Sequence, residues 1–227
     1  MDHTAPDDTI GRLVTLGRDG DAARLQTTGG TDTTHLGRMR MDTQQQLEAV
    51  LPALLEVVGN IAPDQLDNRS PCAHFTVRGV LGHMIGGAGF FAAQLRGDGV
   101  PTPPPEGTDL GCDDPVATFR SAMDELGAAA ATPGAATRVV VTPFGEMTGD
   151  QALRYLALDG TVHTWDLAQA TGQSFAPPEE LVAEVMSTAR QTITPDVRDG
   201  DAFAEATPVP ADASSLEQLI AFTGRAL

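Results

Sequence analysis

The stretch Asp150-Gln-Ala-Leu-Arg-Tyr-Leu-Ala-Leu-Asp159-Gly-Thr-Val-His163-Thr-Trp-Asp166-Leu-Ala-Gln-Ala-Thr-Gly172 reads as one long helix with ionisable groups on its apolar side. At about 100° per residue, with Asp159 set at 0°, His163 falls near about 40° and Asp166 near about 340°. Leu156, Leu167, Tyr155 and Val162 lie within roughly 80° of the same direction, so this is the face that turns toward a core. A carboxylate and an imidazole placed there cost several kcal/mol if left unpaired. A divalent metal would compensate both, because i, i+4 spacing puts two ligands on one face of a helix. An Asp–His hydrogen bond that satisfies itself in the core would serve equally well. The spacing leaves both open.

Working outward, the N-terminal side of this helix is preceded by a short hairpin. Val139, Val140 and Val141, then Pro143, Phe144 and Gly145, then Met147 and Thr148 carry its signal. The clearest amphipathic helix starts at Asp42 or Thr43, with Leu47, Val50, Leu51, Leu54, Leu55 and Val58 at helical offsets and Gly59-Asn60 as its stop. A second begins behind Thr76 with Val77, Val80, Leu81, Met84, Ile85 and Ala88 on its stripe. His83 sits on the flank of that stripe, and the glycines one turn later leave open space near its ring. A third helix is expected from about Asp113 to Ala131. Beyond Gly172 come a helix from Pro178 to Ile193, a short extended piece near Val209 and a final helix from Ser214 to Gly224. The result is an all-α reading: four main helices in a bundle, a β-hairpin and a small C-terminal helical appendage.

Residues 1–40 are rich in Gly, Thr and Asp, show no periodicity and read as a disordered or loosely attached extension. Met41 stands at the edge of the first helix, which leaves a misassigned start codon open. The first residues lack a basic region and an apolar run, so no secretory signal is expected. No apolar run approaches the ~18 residues of a membrane span. Cys72 and Cys112 fit neither a zinc ribbon nor a disulfide framework, and read as reduced thiols, packed as small hydrophobes, in a cytoplasmic protein.

Charge excludes more than it assigns. All 14 basic residues are Arg, so a Walker A lysine, a pyridoxal-phosphate Schiff base and a lysine nucleophile are ruled out. The cluster Gly86, Gly87, Gly89 is therefore no ordinary phosphate loop. A net charge of −17 argues against nucleic acid or an anionic membrane as partner.

Four stretches in order carry a family resemblance. They are Ser70-Pro-Cys-Ala-His-Phe-Thr-Val-Arg-Gly-Val-Leu-Gly-His83; Thr142-Pro-Phe-Gly-Glu-Met147; Asp159 to Gly172; and Val209-Pro-Ala-Asp-Ala with Leu219-Ile-Ala-Phe-Thr-Gly-Arg225. Residues 42–227 thereby resemble the DinB-like superfamily, in the actinobacterial branch that includes the N-terminal domain of mycothiol-dependent maleylpyruvate isomerase. The resemblance implies an up-down-down-up four-helix bundle over 41–172, with 173–227 packed on it, and a divalent metal at one end. It matches the metal ligands to His83, Asp159 and His163. Relatives commonly carry Glu or His where this chain has Asp159, one methylene shorter. Two imidazoles and a carboxylate suit Zn2+, with Ni2+, Fe2+ or Mn2+ as alternatives, and three ligands leave a position open.

Asp166 could orient an imidazole N–H, cap a loop or pair with an arginine. His74 reads as a loop residue, Trp165 as packing against a neighbouring element, and Cys72 as packing despite its place near a helix start. Arg78 or Arg154 could bind a substrate carboxylate. The resemblance implies a transferase or isomerase that uses a small-molecule thiol, mycothiol, against an electrophilic substrate, in a monomer or homodimer. The competing reading is a non-catalytic, stress-linked metal-binding module, since fold alone does not assign function.

Overall fold

The computed structural model describes residues 40–102, 110, 114–142, 145–198 and 203–227. The extension up to residue 39, Cys112 and the hairpin tip at Pro143-Phe144 lie outside the described residues. Among the described residues, six α-helices, one antiparallel hairpin and three short 3-10 turns make up the regular structure.

Helix α1, Thr43–Gly59, begins with a reciprocal cap: Asp42 accepts from the Gln45 N–H, and the Gln45 side chain accepts from the Asp42 N–H. Helix α2, Val77–Arg96, is capped by Thr76 and stops at Gly97, whose φ of 93° suits a residue without a Cβ. Helix α3, Pro115–Ala130, starts with Asp114 as cap and proline in the first turn, where no N–H is needed.

Strands β1, Val139–Thr142, and β2, Gly145–Thr148, pair from Val139 opposite Thr148 to Thr142 opposite Gly145. The Gln94 side chain grips β1 through both the N–H and the C=O of Val141, fastening the hairpin to α2. Helix α4, Gly149–Thr171, follows without a loop. A Cβ at Gly149 would run into the Ala135 carbonyl, so this junction needs glycine.

The helices pack as two close pairs, α1 with α4 and α2 with α3, while contacts between the pairs are sparser. Helices α5, Glu179–Thr192, and α6, Ser215–Phe222, cover the far side of α4. There Leu158, Val162 and Trp165 meet Leu181, Val185, Leu219 and Ile220. Every residue from Gly160 to Ala168 is consequently buried. Thr161 and Thr164 fit that environment by donating their hydroxyls to the carbonyls one turn back, at 2.7 and 2.6 Å.

The helices expected from sequence, and the hairpin, are all present. Around Val209 no strand forms; the chain is held there by the Thr207 N–H donating to the Ala221 carbonyl at 3.0 Å. Among the described residues, no helix is long and apolar enough to cross a membrane.

Candidate metal centre

Helix α2 supplies His83, and α4 supplies Asp159 and His163, across the seam between the two helix pairs. One ligand atom from each lies within 4.8 Å of the others, and among the described residues this is the group of His, Cys, Asp and Glu placed to hold a metal ion. The Nε2 atoms of both histidines face the same carboxylate oxygen, Asp159 Oδ1, at 3.4 Å from His83 and 3.5 Å from His163. In a tetrahedral site with bonds of about 2.0–2.1 Å, neighbouring donors stand about 3.3–3.4 Å apart. The donor spacing and the donor chemistry therefore fit a divalent cation. His83 and Asp159 keep 20% and 17% side-chain exposure, so the cluster can be reached from outside.

His163 is held from behind. Its Nδ1 lies 2.9 Å from Asp166 Oδ2, and Asp166 receives two further hydrogen bonds from Arg225, at 3.2 and 2.9 Å. An ionised carboxylate only accepts, so His163 donates to it through Nδ1–H and turns its Nε2 toward Asp159. Of the three roles open to Asp166, it takes two together: it orients an imidazole and pairs with an arginine. Nothing in the sequence assigned a role to Arg225, although it ends the fourth stretch of the resemblance; it follows the last helix and is 59 positions from its partner. The buried His83 Nδ1 has no hydrogen-bond partner among the described residues.

Burial alone would raise the Asp159 carboxyl, but the charge of His163, the His83 contact and Arg225 outweigh it and hold it at about 2. Asp166 is lowered in the same manner against its own burial, mainly by His163 and Arg225. Burial pushes the Cys72 thiol up to about 11, with Asp166 and Asp159 adding to the rise and Arg225 opposing it. His74 is exposed in the loop before α2, outside the donor cluster. Trp165 packs against the C-terminal helices. Arg154 is engaged by Asp150 at 3.0 Å.

A cavity of about 170 Å³ opens beside the cluster, between the two helix pairs. His83 and Asp159 form one part of its wall; Leu51, Met84, Met123, Leu126, Phe91 and other apolar groups form most of the rest. Neither Arg78 nor Arg154 lines it. A Cβ at Gly87, one turn after His83, would meet nothing within 4 Å. The open space expected near that imidazole is there.

Residues 47–168 match the mycothiol maleylpyruvate isomerase N-terminal domain, a span that runs from α1 to the end of α4 and contains all three donors and Asp166. The chain belongs to that family. It is also 31% identical over 189 residues to uncharacterised proteins of Mycobacterium tuberculosis, from strains CDC 1551 and H37Rv, covering 82% of this chain and 98% of theirs. No solved structure matches it. Arg225, beyond the family match, still reaches the centre of the matched bundle through Asp166.

Proposed function

We propose that the chain binds one divalent cation, Zn2+ in the first instance, through His83, Asp159 and His163, and uses it with a low-molecular-weight thiol of the mycothiol kind to transfer or isomerise an electrophilic substrate. The observation that carries this reading is a set of three convergent donors among the described residues, two of them, His83 and Asp159, at the wall of a cavity. Such a cation supplies Lewis acidity that brings a coordinated thiol's proton loss into the neutral range.

The chain's own groups suit that chemistry. Asp159 is already ionised at neutral pH, and Asp166 fixes His163 in the tautomer whose Nε2 can ligate. Apolar walls exclude water from one side of the cluster. The family supports the thiol, since its description names mycothiol. In conjugate addition the thiol proton goes to solvent, the sulfur pair forms a bond to an alkene carbon, and the alkene π pair moves onto the adjoining carbonyl as an enolate, which takes up a proton to complete conjugation. In isomerisation the enolate instead rotates about the former double bond, its pair re-forms that double bond as the C–S bond breaks, and the sulfur leaves with its pair and regains a proton.

The test is a cobalt-loaded protein titrated with a small thiol, and with mycothiol itself. A new intense band in the near ultraviolet, growing with pH as the thiol proton is released, is the expected result. A folded, cobalt-loaded protein without that band at millimolar thiol would remove the thiol chemistry and leave a non-catalytic metal-binding module.

A further inference from the structure

We propose that the cavity beside the donor cluster binds an uncharged, apolar small molecule, about one aromatic ring with a short side chain in size. Three observations converge on this. The first is size: a closed apolar cavity of roughly 150 Å³ is enough to take up benzene, and this partly open one is about 170 Å³. The second is wall chemistry. Apart from His83, Asp159, Thr142 and Tyr155, the lining among the described residues is aliphatic, aromatic or glycine, with no arginine there, in a chain that has no lysine.

A dicarboxylate could turn one end toward the donor cluster, but its other end would lie among Leu47, Leu51, Met123 and Leu126. Among the described residues no cation lines that part of the wall, so lost hydration would go uncompensated by them. A hydrocarbon or aryl group in the same place exchanges water for side-chain contact. The third observation is that the backbone leaves room at one point of the wall. A Cβ at Gly87, which lines the cavity, would meet nothing within 4 Å. The space is a gap between helix pairs where Gly87 stands.

Identifying the bound molecule as the electrophile of the thiol reaction rests on the preceding reading; the binding itself does not. Three methionines in the wall, Met84, Met123 and Met147, provide separate reporters. The protein, labelled with ¹³C in its methionine methyls, is titrated with ethylbenzene and with phthalate, with and without zinc and without any thiol. Saturable shifts of these three methyls with ethylbenzene, at an affinity at least tenfold above that for phthalate, are expected. Equal or tighter phthalate binding, or no saturable response to ethylbenzene, would overturn the proposal.

Gly87→Leu fills the gap and should weaken ethylbenzene at least tenfold; unchanged affinity in a folded variant would also overturn it. The two wild-type titrations decide the question even if that variant fails to fold. Ethylbenzene binding in a protein whose cobalt form shows no thiol band supports the cavity site and removes only the thiol reading.

Discussion

His163 stands between two carboxylates with different tasks: Asp159 shares its Nε2 side and Asp166 holds its Nδ1. Removing the ring takes away a ligand, so His163→Ala should lose most bound zinc. His74→Ala should lose none, because that side chain lies outside the cluster. Metal content of the two purified variants checks this, and equal losses would discard the ligand set. Cys72 offers a second test at the same scale. Its pKa is displaced upward to about 11, so the thiol form prevails at neutral pH and the reactive thiolate increases only as pH rises toward that value. Iodoacetamide labelling of Cys72, followed by peptide mass spectrometry, should be slow at pH 7–8 and grow about tenfold per pH unit up to pH 10.

At the scale of elements, α4 carries the site and is also the helix least readable as an ordinary amphipath. Its apolar positions face α1 on one side and α5 and α6 on the other, so burial runs unbroken from Gly160 to Ala168. The caps of α1 and α2 and the hairpin were legible because each rests on a few neighbouring residues. The Asp159–His163 spacing was legible too, but only as a choice between a metal pair and a self-satisfied pair. His83 joined it through the resemblance, since no periodicity links positions on two helices.

Arg225 was not legible, because a single arginine after a short terminal helix carries no local sign of where it folds back. Its removal is accordingly informative. Arg225→Met keeps much of the apolar stem but leaves Asp166 with His163 alone, favouring the imidazolium that competes with metal. Zinc affinity, measured by competition with a chelating dye, should fall about 10- to 100-fold. Stability should drop by roughly 3–5 kcal/mol, as for a broken buried ion pair. Unchanged zinc affinity would show that the C-terminal segment does not tune the centre.

At the scale of the molecule, three clusters of buried residues span α1 to α6, and the exposed Arg40 meets Glu184 at 3.5 Å. A surface pair of this kind contributes little, about 0–1 kcal/mol. Residues 1–40 carry no apolar periodicity in their sequence, so a chain beginning at Met41 should melt within a few degrees of the full one in a calorimetric scan, and a larger fall would assign the first residues a part in the packing. The cavity could not be read from sequence for a reason of scale. Each lining helix has a normal apolar stripe, and the gap exists only in how the two helix pairs meet.

That gap is also volume which the folded protein holds and the unfolded chain does not. Unfolding under hydrostatic pressure eliminates internal voids, so its volume change becomes more negative as the voids grow. This bundle should consequently unfold at lower pressure than its heat stability suggests. Gly87→Leu, placed where nothing lies within 4 Å, should move the pressure midpoint upward more than the melting temperature. High-pressure fluorescence of the buried Trp165, the single tryptophan of the chain, would follow both transitions, and a pressure midpoint unmoved by the substitution would mean that the seam closes over the space in solution.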